Sequence, residues 1–325
     1  MRSILVSFAI LATLTASAQN FQAAQALFNQ NKRSEAKAAF SAIPKSSSDY
    51  TNALLALTLI EIDNGHIDEA FGYFNQFFQS APNPYPYVYA LWNRDLFSDY
   101  TSKSKSAEES FMKKLQNDAK APLTLRAMAA TNIASKLISA NEIKSGKETY
   151  NQLNDVRNWA TVGVFENTSS SGFNKNFEVL EHPEADYIFK NNIGAPVKWF
   201  NVTDARNDRW FDNEFHYDIS NSIIYTQTFL QSNDDKDAVM LLGVSGSVKV
   251  WINDFVVLSE AEERNTDLDM YQLQIKLQKG TNRIVVQLGA SEINRSNFMM
   301  RFADANGSIC LIAADPKVPN GQKMH

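Results

Sequence analysis

The hydrophobic period of this chain changes once, near Trp159, and that change requires two kinds of structure in sequence. From Phe21 to about Asn158 apolar residues recur every three to four positions, which is the spacing of a helix face. Helices are predicted over 87–97, 107–117, 123–139 and 142–154 in addition to those of the first eighty residues. Beyond Trp159 the pattern alternates. Val162 and Val164 open a strand, a turn-rich and irregular stretch runs to Asn221, and strands are predicted over 223–230, 238–243, 247–252, 255–258, 271–277, 282–288 and 297–302. Val248, Val250 and Ile252, then Leu273, Ile275 and Leu277, then Ile284, Val286 and Leu288 each place one face toward a core. The other face meets water or a second layer. Asn253-Asp254 and Lys279-Gly280-Thr281-Asn282 are turn chemistry, and Gly243-Val244-Ser245-Gly246 is read as a connection between two strands.

The helical part also repeats. Glu35, Ala36 and Phe40 recur as Glu69, Ala70 and Phe74, a period of 34 residues followed by Phe77 and a terminating Pro82. Alanine suits a site where two helices approach closely, and phenylalanine fills the gap one turn later. Two units, 21–48 and 52–82, thus resemble tetratricopeptide repeats, with Ala36, Phe40, Ala70, Phe74 and Pro82 as the packing positions. Gly146, Tyr150 and Leu153 read as a further, irregular unit with glycine in the alanine position. The expected fold class is α+β multidomain: a tetratricopeptide-like helical solenoid over 19–157, an all-β sandwich over 158–314 and a tail over 315–325. A solenoid of this kind implies a concave groove for a protein or peptide partner.

Residues 1–18 stand apart from both parts. Met1-Arg2, an apolar run from Ile4 to Leu14, and Ala16-Ser17-Ala18 form the pattern of an export signal, with the mature chain starting at Gln19. The apolar run is about half the roughly 20 residues needed to span a bilayer. Gln19 rather than a cysteine stands directly after the cleavage site, so an acyl anchor is not expected, and the product is expected to be soluble in the periplasm or outside the cell. Cys310 is the single cysteine and lies in an apolar stretch, where an inert thiol is expected. The net charge of -5 includes no basic stripe, which argues against a nucleic-acid partner.

In the second part, Val250-Trp251-Ile252-Asn253 followed by Lys279-Gly280-Thr281-Asn282-Arg283 resembles the galactose-binding-like jelly rolls that accompany many glycosidases. The wider block, with Gly163-Val164-Phe165-Glu166-Asn167, Val197-Lys198-Trp199-Phe200 and Tyr225-Thr226-Gln227-Thr228-Phe229, is similar to the sandwich that follows a helical-repeat segment in secreted proteins of the Bacteroidetes type. In those relatives a transglutaminase-like region often comes next. The resemblance implies an exported, non-enzymatic binding or scaffold protein, with the sandwich holding a glycan or packing against the repeats. The alternative it implies is the non-catalytic front of a larger transglutaminase-like or peptidase-like enzyme.

No catalytic signature is present. His66, His182, His216 and His325 are not at metal-ligand spacing. For a sugar, flat aromatic faces are the candidates: Trp199, Trp210, Phe211, Tyr217 and Trp251, the last expected to face outward because its parity opposes Val250 and Ile252. The acidic loop Glu260, Glu262, Glu263, Asp267 and Asp269 contains the candidate ligands of a structural calcium ion, Glu262, Asp267 and Asp269, with Arg264 in its midst favouring a merely solvated loop. No other cofactor is expected.

Overall fold

The computed structural model describes residues 20–97, 106–202, 206–304, 306–308, 310 and 314–318. Residues 1–18, expected as an export signal, His325 and the end of the tail lie outside them. The fold is mixed α+β, and the chain divides between Leu125 and Arg126 into two compact units. No helix among the described residues is long and apolar enough to cross a membrane.

The first unit is helical. It contains α1 (20–29), α2 (Arg33–Ser41), α3 (Tyr50–Asp63), α4 (Ile67–Ser80), α5 (Tyr85–Leu91), one π turn (Trp92–Leu96) and α6 (Ser106–Asn117). Ala36 and Phe40 are buried on α2, and Ala70, Phe71, Phe74 and Phe77 on α4, the spacing of a single helix face. One apolar cluster joins α1, α2 and α3 through Ala24, Ala36, Phe40, Leu57 and Ile60. A second is aromatic: Phe111 of α6 lies 5.0 Å from Phe78, 5.8 Å from Phe74 and stacked 5.8 Å from Phe97. Such pairs add to plain area burial, so α4 and α6 are tied by ring geometry as well as by volume.

Helix ends follow local chemistry. Gly65 takes a φ of 74° after α3, and the His66 amide donates back to the Glu61 carbonyl at 2.9 Å. Asp68 and Glu69 then open α4 with charge that suits its dipole. Ala81 is extended ahead of Pro82, which stops α4. Inside α3 the Glu61 carboxylate is buried and receives Lys37 Nζ at 2.8 Å and His66 Nδ1 at 2.9 Å. Burial pushes its carboxyl up, but the Lys37 and His66 hydrogen bonds outweigh this and hold it below the usual carboxylate range.

The second unit begins within α7 (Leu123–Ser139), continues through α8 (Ile143–Asn151) and becomes a curled antiparallel sheet, sandwich-like in its layers. Its strands are β1 (Trp159–Glu166), the short β2 (Phe189–Lys190), β3 (Pro196–Val197), β4 (Phe200–Val202) and β5 (Phe211–Asp212), then β6 (Ser222–Ser232), β7 (Lys236–Ile252), β8 (Phe255–Asn265), β9 (Tyr271–Leu277), β10 (Gly280–Ala290), β11 (Asn297–Asp304) and β12 (Ala314–Asp315). The sheet runs β4-β1-β6-β10-β7-β11-β5, with β8 and β9 on β7, while β2 and β3 form a separate hairpin.

β7 organises the whole. The two strands expected over 238–243 and 247–252 are one, and Gly243 to Gly246 lies inside it rather than connecting two strands. Gly246 explains the misreading, because its φ of 120° is a glycine conformation and a Cβ there would stand 2.7 Å from the Gly289 carbonyl. β8 then β9 pair along one edge of β7, and β10 then β11 along the other. Even-numbered residues of β7 face one core throughout: Ala238, Met240, Leu242, Val244, Val248, Val250 and Ile252. A straight strand of this length would hold its ends about 50 Å apart, yet Lys236 and Ile252 line the same cleft, so β7 curls around that core.

The outer face of β1, β6, β10 and the end of β7 is covered by the irregular segment 173–202. A second apolar cluster forms there from Val162, Phe165, Val179, Phe189, Trp199, Tyr225, Trp251 and Val285. Polar side chains of the sheet fix this cover through its backbone carbonyls. Arg283, 1% exposed, donates to Leu180 O at 2.6 Å, to Val179 O at 3.0 Å and to Gln227 Oε1, while Gln227 donates to Pro183 O. Gln287 and Lys249 both donate to Phe173 O, at 2.9 and 3.0 Å. Each buried donor thereby finds an acceptor that the coil itself cannot satisfy.

Candidate functional site

The aromatic residues picked for sugar contact fall into two groups. Trp199, part of the cover, and Trp251, beneath it, are both buried; Trp199 Nε1 donates to His182 O at 2.9 Å, and Trp251 is 7% exposed beside Tyr225. Trp251 does have outward parity, but segment 173–202 lies over that face, so neither indole offers a surface to a ligand. Trp210 and Phe211 lie together, and Tyr217 is linked to them through Phe200 and His216. Phe211 lies 6.3 Å from His216, Phe200 spans 6.1 Å to His216 and 5.9 Å to Tyr217, and the tip of Trp210 rests on Gly243. The space beside Trp210 and Phe211 holds only about 20 Å³, room for one water and no sugar ring. Burial pushes the Tyr217 phenol up and that of Tyr225 likewise, as packed rings require.

The acidic candidates are not gathered into a cation site. The stretch expected as a loop is largely strand, since β8 continues to Asn265. Glu262 pairs with Arg264 beside it. Asp269 is buried and accepts Arg301 Nε at 3.1 Å and its Nη2, an ion pair in which Arg301 is 2% exposed. Glu263 accepts from the amides of Ser291, Glu292 and Ile293 at 2.7 to 2.9 Å, and from the Ser291 hydroxyl at 2.7 Å. Asp267 follows the end of β8 and is engaged within the protein. No group of three or more His, Cys, Asp or Glu among the described residues is arranged for a metal. Glu262 and Asp269, two of the three candidate calcium ligands, are thus each paired with an arginine. Cys310 is half-buried against the main core, and burial pushes its thiol up.

A different site emerges where the curl stays open. The two ends of β7 meet there, with β8 starting on one side and β9 ending on the other, around a cleft of about 850 Å³. That volume lies within the range of ligand pockets. Ile252, Ile275 and Leu277 form its floor and belong to the main core. Phe255 pairs with Ile252 across β7 and β8, so it stands on the core-facing side, yet it is 74% exposed because no described residue closes the mouth. Val257 is the extra residue of a bulge, since Trp251 pairs with Val256 and Val250 with Leu258. Bulges of this kind re-aim side chains near sites. Asp235, Asp237, Lys236, Lys276 and Lys279 make a charged rim. Sequence reasoning located 255–258 as a strand and Asn253-Asp254 as its turn, but the openness of the mouth depends on the curl of β7, which has no local signal.

No protein-family model matches the chain, and no curated protein matches it. Among solved structures, it is similar to a β-glucosidase from Kluyveromyces marxianus in complex with glucose, at 16% identity, TM-score 0.29, over 45% of this chain and 16% of that one. It is also similar to an anti-sigma factor domain-containing protein from Clostridium clariflavum, at 11% identity and TM-score 0.29, over 51% and 48%. A GH31 α-xylosidase from Xanthomonas citri matches at 11% identity and TM-score 0.23, over 33% and 12%. The chain therefore spans less than half of each, and scores this low establish neither a common fold nor a shared ligand.

Proposed function

We propose that this is an exported, non-enzymatic binding protein whose curled sheet holds a saccharide in the open mouth between β8 and β9. The observation that carries the reading is Phe255, an aromatic ring on the core-facing side of the sheet that is left uncovered above an apolar floor. A pyranose presents a C–H face that matches such a ring, and its hydroxyls suit the Asp and Lys rim. In this reading the helices of the first unit are tetratricopeptide-like repeats, supported by the burial of Ala36, Phe40, Ala70 and Phe74 at a 34-residue period, and serve a protein or peptide partner. The galactose-binding-like reading of the sandwich is supported by its antiparallel layers, and export by the pattern of residues 1–18.

A glycan array probed with the chain from Gln19 onward, followed by calorimetry, tests the saccharide site. Phe255→Ala is expected to weaken binding of a captured glycan by about tenfold, the equivalent of one ring contact. The fold should be unaffected, since the ring is exposed. Binding unchanged in this variant would remove the site from the mouth, and a silent array would remove the function.

A further inference from the structure

We infer that the mouth cleft selects an acidic saccharide, one bearing a uronate carboxylate, over its neutral counterpart; this rests on the saccharide reading above. Charge at the cleft is the reason. Three lysines and two aspartates line it, a local balance of +1 on a chain whose net charge is -5. The five are not equivalent. Asp237 stands directly opposite Lys276 in the pairing of β7 with β9, so these two charges oppose each other on the face away from the floor. Lys236 stands opposite Leu277, and thus begins on the same face as the floor. It is half-buried, and neither it nor Lys279 makes an ion pair among the described residues. Asp235, adjacent to Lys236 in sequence, already uses one carboxylate oxygen to accept the Lys279 amide at 2.6 Å.

Lys236 and Lys279 are therefore the cations left for a ligand. Beside an apolar floor their field is screened less than on open surface, and a carboxylate receives charge-assisted hydrogen bonds there. A uronate has the required shape: a pyranose face for Phe255 and a carboxylate at the ring edge for the lysines. Lysine is a point charge on a flexible stem, so it suits a carboxylate whose position differs among uronic acids.

The test uses the chain from Gln19 onward against an array of oligogalacturonate, alginate and hyaluronan oligosaccharides, each beside its carboxyl-reduced form. The acidic form is expected to bind about tenfold more tightly than the reduced one, with the gap narrowing as salt rises. The double variant Lys236→Gln, Lys279→Gln should close that gap while leaving any binding of the reduced form in place. Equal binding of the two forms, a preference for the reduced form, neutral glycans bound with uronates ignored, or a gap that survives the double variant would each overturn the selectivity and leave the saccharide reading standing. Silence toward every glycan would overturn both.

Discussion

Asp269, expected as a calcium ligand, and Glu263, from the same acidic stretch, both serve the fold, and in each case the reason is a partner distant in sequence. Asp269 neutralises Arg301 in the interior. Glu263 gathers three backbone amides and one hydroxyl from the turn between β10 and β11. Burial pushes the Glu263 carboxyl up, yet these hydrogen bonds dominate and hold it below its ordinary value of 4.5. A carboxyl lowered on folding stabilises the folded state fully above the unfolded pKa, and that contribution is lost as pH falls through the folded one. Glu263→Gln should accordingly lower the melting temperature at about pH 7, with the deficit shrinking as pH drops below about 4.5. Thermal melts of both proteins across that range check this, and a deficit independent of pH would mean the charge plays no part.

At the scale of elements, close approach decides what a sequence position tolerates. Gly146 of α8 faces α7, where an added Cβ would lie 2.6 Å from Ile138 Cγ1 and 3.0 Å from the Ala134 carbonyl. Alanine is the better helix former by about 1 kcal/mol, but overpacking costs about 1 to 3 kcal/mol, so Gly146→Ala should destabilise this unit in denaturant unfolding. A more stable variant would show that α7 moves aside freely. The same kind of reading made the helices legible: 123–139 was assigned as found, and the buried faces of α2 and α4 follow from Ala36, Phe40, Ala70 and Phe74. Strands were legible wherever alternation was clean, as at 271–277. The outer face of β10 was not. Arg283 and Gln287 alternate with Val285 on a face whose sequence fits either water or a second layer, and the cover laid down by 173–202, more than eighty residues earlier, makes them interior. Trp251 was misread for the same cause. Phe255 was missed because a strand pattern records which side a residue takes and not whether that side is closed.

For the whole molecule, the period change at Trp159 and the division after Leu125 do not coincide, because α7 and α8 belong with the sheet. Val156 donates to Met300 O at 2.8 Å, Arg301 reaches Leu153 O at 3.5 Å, and Arg209 reaches Lys147 O and Asn151 Oδ1. A chain starting at Lys120 should melt cooperatively, whereas one starting at Trp159 leaves part of the buried Arg301 environment unpaired and should melt at least about 5 °C lower. Equal melting temperatures would make the two helices ornaments of the sheet. The continuous inward face of β7 has one more consequence, for the family tree of such chains. Adding or deleting a single residue within β7 would exchange the core row for the Trp251 row along everything downstream. Insertions and deletions are therefore admissible only in pairs there, and descendants of this sequence should differ in length at the connections, such as 291–296, while β7 keeps its count.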